Sequence, residues 1–322
     1  MTVNSPHLFV TLIGDVDNEP FARVKYGHLL DALRRSFAVD ACDATLRGLP
    51  RLFNALLAFA PQRRRWKERF YQNLPAFELR SAGVARALLK RAGAVDLVLQ
   101  IGVLYDACRG TIPAVIYTDY TAVLAGRRPE LGRSPLTPDE RRRWIALEGA
   151  AFQRAAHVCT RSEFVRASLV DDYGIPPDRV TAVGGGVNLA PLPVLVPRPA
   201  NAAPTALFIG KDFYRKGGDL LLSAFAEVRR QLPRAQLLML TEGPIPADLD
   251  LGGVEIIPPT WDRTLIQSLY RRADCFVLPS RLETWGDVLL EAMAFGLPCI
   301  GVTGEGMGEL IADQHTGLLV PP

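Results

Sequence analysis

The chain has 322 residues, 48% of them hydrophobic and 22% charged, with a formal net charge of +3; it is long enough to bury a sizeable core, favours two domains over one and excludes a disordered chain. Its longest apolar runs, such as Leu237–Leu240 and Cys275–Leu278, are strand-length and fall far short of the ~18 residues of a membrane span. Five widely spaced cysteines without a Cys-x-x-Cys pair, and four scattered histidines, argue against a disulfide framework and against a zinc site.

Met1–Val10 has no basic leader, and Leu8–Ile13 reads as a first buried strand rather than a secretion signal, so a cytoplasmic protein is expected. Gly14 follows that strand, and then the acidic run Asp15–Glu19, which reads as a loop tip; Asp15-Val16-Asp17 follows the strand too directly to serve as a metal-binding Asp-x-Asp. A helix is expected over Tyr26–Ser36. From Arg47 to Arg91 the chain is strongly basic and opposed only by Glu68 and Glu78, with Leu52, Phe53, Leu56, Leu57 and Phe59 preceding Arg63-Arg64-Arg65-Trp66-Lys67. That pattern fits either a solvated basic helix face over an ordinary core stripe or peripheral docking on an anionic membrane surface. Nucleic-acid binding needs aromatics stacked along an open groove; the helical spacing of Trp66, Phe70 and Tyr71 points instead to a packed or membrane-facing stripe, so no nucleic acid is expected.

Further strands are expected near Leu97–Ile101, Ala114–Tyr117, His157–Thr160 and Val180–Val183, with helices over Pro138–Arg154 and Ser162–Tyr173. The Pro-rich stretch 191–203 carries neither a helix nor a strand period and reads as a linker between domains 1–190 and 204–322. Beyond it strands Ala206–Ile209, Gln236–Leu240, Val254–Ile257, Cys275–Leu278 and Pro298–Val302 alternate with helices Gly218–Arg230, Arg263–Arg271 and Asp287–Phe295. Short apolar runs alternating with amphipathic helices imply an α/β chain, two doubly wound parallel sheets in tandem.

Ligands bind at the carboxyl ends of strands in such sheets, which singles out two loops. The first, Gly210 to Gly218, holds Lys211 and Lys216 in a half of the chain that otherwise uses arginine; two ammonium groups on one loop would match a diphosphate. The second runs from Pro279 into a helix starting near Gly286. The N–H groups of Gly286, Asp287 and Val288 would form an anion site there, with Glu291 placed to accept from vicinal ribose hydroxyls and Glu283 ahead of the helix beside that site. Gly304-Glu305-Gly306-Met307-Gly308 lacks the spacing of a dinucleotide fingerprint, which argues against a dehydrogenase.

These residues resemble glycosyltransferase family 4, the retaining enzymes of GT-B fold. Gly210-Lys211 and Lys216-Gly217 match its Gly-Arg, four residues, Lys-Gly pattern with Lys in place of Arg, and Pro279 to Pro298 matches its Glu-x7-Glu signature without a gap. Glu309 and the closing Thr316–Pro321 match as well; in the first half Ser162-Glu163 and Gly186-Val187-Asn188 match more loosely, with Asn188 in place of Asp. Thr118-Asp119 stands where many members have His-Asp, and Gly14 where they have a Gly-rich loop.

The resemblance implies two Rossmann-like domains facing a cleft and retaining transfer from a UDP-, GDP- or ADP-sugar to an unidentified acceptor, a glycan or a lipid-linked one, with no further cofactor and no metal. Lys211, Lys216 and the Gly286–Val288 amides would hold the diphosphate, Glu291 the ribose and Glu283 the sugar hydroxyls; Asp119 would act on the acceptor side. A non-catalytic nucleotide-sugar binder or partner subunit is the alternative, favoured by the departures at Asp119, Lys211 and Asn188. Family members continue past the Gly-Leu-Leu-Val-Pro element into helices that cross back to the first domain, so a chain ending at Pro321-Pro322 is expected to be a fragment that transfers sugar poorly.

Overall fold

The computed structural model describes residues 5–91, 93–131, 134–196, 198–199 and 202–322. Residues 1–4 of the N-terminal stretch, and 197, 200 and 201 of the Pro-rich segment, lie outside the described residues. The chain divides into two compact units, Met1–Gly184 and Gly185–Pro322. The Gly186-Val187-Asn188 element therefore belongs to the second unit, where Leu189 is buried in the core.

In the first unit six strands, β1 (His7–Leu12), β2 (Ala38–Asp43), β3 (Leu97–Ile101), β4 (Ala114–Thr118), β5 (His157–Thr160) and β6 (Val180–Ala182), form a sheet in the order β2-β1-β3-β4-β5-β6. All pairs are parallel, and Phe9, Val98, Ile116 and Val158 on the inner strands are fully buried, as expected where helices cover both faces. The helices are α1 (Pro20–Leu33), α2 (Gly48–Leu57), α3 (Arg63–Tyr71), α4 (Leu74–Leu89), α5 (Ala122–Arg127), α6 (Pro138–Arg154) and α7 (Glu163–Asp171). Local chemistry sets their ends. A capping box between Thr137 and Glu140, with Pro138 inside the first turn, starts α6; the Ser162 hydroxyl accepts from the Val165 amide at α7. Helix α1 begins ahead of the expected Tyr26 because Pro20 is pre-set for a first turn.

The second unit contains β7 (Thr205–Asp212), β8 (Gln236–Glu242), β9 (Val254–Ile257), β10 (Cys275–Val277), β11 (Cys299–Val302) and β12 (Gly317–Val320), with α8 (Gly218–Gln231), α9 (Arg263–Arg272), α10 (Asp287–Ala294) and α11 (Met307–Leu310). Its strand order, β12-β11-β10-β7-β8-β9, reverses direction between β7 and β10. At such a switch point the loops leaving the two strands diverge and open a crevice. The loop leaving β7 carries Lys216 and the loop leaving β10 carries Glu283. Lys211, expected in the loop, lies on β7 itself beside a register shift between Gly210 and Asp212.

The basic segment Arg47–Arg91 is not one continuous charged surface. Arg47 pairs with Asp43, Arg91 with Asp40, and Arg80 is buried in the core. The Arg80 guanidinium donates to the carbonyls of Tyr71 at 2.8 Å, Phe70 at 3.2 Å and Leu104 at 3.4 Å, and burial draws its pKa down to about 10. It ties the α3–α4 junction to the segment after β3. Among the described residues, no helix is long and apolar enough to cross a membrane.

Replacing Arg80 by Met keeps the aliphatic bulk but takes the guanidinium donor from the Tyr71 and Leu104 carbonyls, while the Phe70 carbonyl keeps the Asn54 amide. The expected cost is about 3 kcal/mol, from the penalty of unsatisfied buried polar groups, read as a lower urea midpoint with an unchanged slope. A midpoint equal to that of the parent chain would show that the carbonyls find other donors.

Candidate functional site

The two loops at the switch point of the second unit are pressed together through glycine. Gly217 has φ +75°, and a Cβ there would lie 1.9 Å from the Pro279 carbonyl oxygen, so the position admits only glycine. Arg281 N–H donates to the Arg215 carbonyl at 2.9 Å, and the Arg215 guanidinium donates to the Leu282 carbonyl at 3.1 Å. The Arg281 side chain makes a forked pair with Asp219, 2.7 Å at each arm, and lies over the Tyr214 ring. Backbone and side chains thus join the β7 loop to the β10 loop before any ligand is bound.

Inside that joint, the Lys216 ammonium is ion-paired with the Glu283 carboxylate. Glu283 lies ahead of the helix, as expected, and is buried. Its backbone N–H donates to the Glu305 carboxylate at 2.5 Å, and Glu305 has a left-handed φ of 51°, a conformation that costs a non-glycine residue energy and is held only by its surroundings. The loop after β11, set aside as a dinucleotide fingerprint, therefore supports Glu283 instead. Gly286 caps α10 with φ +103° and no side-chain cap, leaving the first amides of α10 at the head of the helix dipole; Glu283 packs against Gly286, whose Cβ would come 3.7 Å from Glu283 Cγ.

Glu291 lies one helix turn further on and is also buried. Arg263 donates to it at 2.9 Å and the Tyr270 hydroxyl at 3.2 Å; burial raises its pKa, an effect that Arg263 partly offsets. Arg263 also donates to the Asn188 carbonyl at 3.3 Å, bringing the Gly186–Asn188 element to the same carboxylate. An ionised carboxylate offers about four lone-pair sites, so Glu291 keeps acceptor capacity with both partners in place. Lys211 is not gathered with Lys216: it is exposed and meets Glu242 at 3.3 Å.

In the first unit the loops after β1, β3 and β4 line a cavity of about 250 Å³ that includes Lys25, Gln72, Thr118, Asp119 and Glu148. Burial pulls the Lys25 pKa down, while the Asp119 carboxylate and the Tyr26 hydroxyl together raise it, and the net shift is upward. Gly14 lies just after β1 with φ +107°, its N–H donating to Asp43 at 2.9 Å, and a Cβ there would come 2.9 Å from the Ala22 Cβ. Asp15 accepts from the amides of Asp17 and Asn18 at 3.0 and 3.1 Å, so the acidic run builds its own turn. Among the described residues, no group of three His, Cys, Asp or Glu side chains is placed to hold a metal.

Residues 27–191 match the family model described as Glycosyltransferase Family 4, and residues 203–322 the model described as Glycosyl transferases group 1. The chain belongs to glycosyltransferase family 4. The D-inositol 3-phosphate glycosyltransferase of Kineococcus radiotolerans is 30% identical over 209 residues, covering 54% of this chain and 47% of that protein. The glycogen synthase of Mycobacterium tuberculosis is 27% identical over 184 residues, covering 55% and 44%. This family 4 chain thus spans about half the length of the curated relatives it matches. Among solved structures, sucrose-phosphate synthase from Thermosynechococcus elongatus superposes with a TM-score of 0.65 at 20% identity, covering 98% of this chain and 86% of that one. HepE of Anabaena, solved with UDP and glucose, gives 0.58 at 13% identity, covering 98% and 86%. At those identities the likeness establishes the GT-B fold of the family 4 chain.

Arg263, Tyr270, Glu305, Lys25 and Glu148 belong to these constellations without having been singled out from the sequence. Arg263 and Tyr270 lie on an amphipathic helix whose residue pattern signals packing alone. Glu305 lay in a segment weighed only for its glycines.

Glu148 gives this family 4 chain a titration near neutrality. Burial pushes its carboxyl up to about 7, against the Tyr173 hydroxyl and the Ala122 amide that donate to it and pull it down. Between the ordinary value of 4.5 and about 7, the folded chain keeps a proton that the unfolded chain has released, so stability falls as pH rises through that window. Glu148→Gln cannot ionise. It is expected to gain up to about 3 kcal/mol over the parent chain at pH 8, and little at pH 5, as read by urea unfolding at both pH values. An equal change at both would contradict the assignment.

Proposed function

We propose that the chain moves a sugar from a nucleoside diphosphate sugar to an acceptor hydroxyl, with retention at the anomeric carbon. The observation that carries this reading is the Lys216–Glu283 pair at the switch point of the second unit, packed against the glycine-led start of α10. In this reading the amides of Gly286, Asp287 and Val288 and the Lys216 ammonium take the diphosphate. Glu291, oriented by Arg263 and Tyr270, takes the ribose hydroxyls, and Glu283 takes those of the sugar. Lys211, exposed and paired with Glu242, stands outside this set. Asp119, Lys25 and Gly14 belong to the acceptor-side unit.

In the transfer step the acceptor oxygen bonds to the anomeric carbon as the bond from that carbon to the phosphate oxygen breaks. The electron pair leaves with the nucleoside diphosphate, and the acceptor proton passes to a departing phosphate oxygen. Catalysis is then chiefly stabilisation of the charge gathering on the diphosphate by groups already in place. Lys216 and the helix terminus meet that charge in this reading, so transfer needs no divalent metal. The UDP seen with HepE and the sugar-transferring relatives support a nucleotide donor of this class.

Titration calorimetry with UDP, GDP and ADP tests the donor site. Lys216→Met and Glu291→Gln are each expected to weaken binding of the preferred diphosphate by about 1.5–3 kcal/mol, the scale of a charge-assisted hydrogen bond. Unchanged affinity in both variants, with the fold intact by circular dichroism, would overturn the assignment. Chelator is expected to leave the initial transfer rate unchanged; activity lost to chelator and restored by manganese or magnesium would contradict the metal-independent reading.

A further inference from the structure

Helix α2 is built inside out. Leu49, Leu52, Phe53 and Leu56 recur at the spacing of one helical face, and that face is turned to solvent, with Leu49 80% and Leu56 78% exposed. Leu57 and Phe59 extend the apolar surface. The opposite side carries Asn54, which is fully buried. Its amide donates to the Phe70 carbonyl at 2.9 Å, and its oxygen accepts from Asn73 at 2.7 Å; Asn73 in turn caps α4 by accepting from the Ala76 amide at 2.8 Å. A surface helix ordinarily buries its apolar stripe. Here a polar lock fixes the reverse orientation, so the exposed stripe is part of the fold.

Helix α3 packs against α2: the Trp66 indole N–H donates to the Ala55 carbonyl at 2.9 Å, and its ring meets Phe59 edge-on. Arg63, Arg64, Arg65 and Lys67 on α3 are exposed. Its one carboxylate, Glu68, is taken by Arg64 at 3.1 Å. An apolar face is thus bordered by a cluster of cations. A second copy of the chain fits poorly, because an isologous contact would repeat the same arginines on both sides. A surface apolar within and negatively charged at its border fits both features.

We propose that α2 and α3 dock the chain on an anionic phospholipid bilayer, with Leu49, Leu52, Phe53 and Leu56 entering the acyl region and Arg63, Arg65 and Lys67 meeting headgroup phosphates. This stands independently of the donor site. Flotation of the purified chain with phosphatidylcholine vesicles, with and without phosphatidylglycerol, tests it. Binding is expected only with phosphatidylglycerol and is expected to weaken as salt is raised. Leu52→Asp with Leu56→Asp, at exposed positions that the fold does not need, should abolish it. Arg63→Gln and Arg65→Gln should each weaken it about fivefold. Equal binding to neutral and anionic vesicles, or none to either, would overturn the proposal. So would a dimer in sedimentation equilibrium that Leu56→Asp dissociates while the parent chain ignores vesicles; that result would assign the face to a second copy.

Discussion

Lys216 and Glu283 stand in a place where neither can be kept alone. Their side chains are only 14% and 10% exposed, and a charge so shielded, left without its partner, destabilises by several kcal/mol. The pair requires that the loops after β7 and β10 approach closely. Gly217 allows that approach, since any side chain there would strike the Pro279 carbonyl. Arg215, Arg281 and Asp219 brace the same joint, and Glu305 fixes the backbone of Glu283 from a third loop. Much of the irregular structure at this end of the second sheet is thus arranged to hold one ammonium and one carboxylate beside the start of α10.

Both units are doubly wound, but they hold different chemistry at the ends of their strands. The second unit has a buried ion pair, a helix that starts on a glycine and a carboxylate oriented by an arginine and a tyrosine. The first unit has a cavity with a cation, a half-buried aspartate and a glutamate that titrates near neutrality. The second unit's loops carry the residues whose spacing resembles the family signature.

Much of this was legible in the sequence where local rules decide. The helix over Pro138–Arg154 and strands β3, β5 and β9 have the expected bounds, because a capping box and short β-rich runs speak for themselves. Strand β2, Ala-Val-Asp-Ala-Cys-Asp, escaped notice because it lies at the sheet edge with no fully buried residue and little apolar alternation. The spacing of Lys216, Glu283 and Glu291 singled out two loops that the fold brings together, but it did not reveal that Lys216 is neutralised by Glu283, nor that Glu291 is already held by Arg263. Those pairings join residues far apart in the chain and depend on a strand order that periodicity does not encode. The inverted orientation of α2 was equally hidden: its apolar spacing suits a buried face as well as an exposed one, and the buried Asn54 that settles the matter looks like any polar residue.

The central claim is that the diphosphate of a nucleotide donor sits at the start of α10 within reach of Lys216. A crystal structure of the chain soaked with the nucleoside diphosphate that binds best tests it directly. The account predicts phosphate density at hydrogen-bonding distance from the amides of Asp287 and Val288 and from the Lys216 ammonium, with the ribose against Glu291. Density for the diphosphate in the Lys25 and Asp119 cavity, with the loops after β7 and β10 empty, would contradict it.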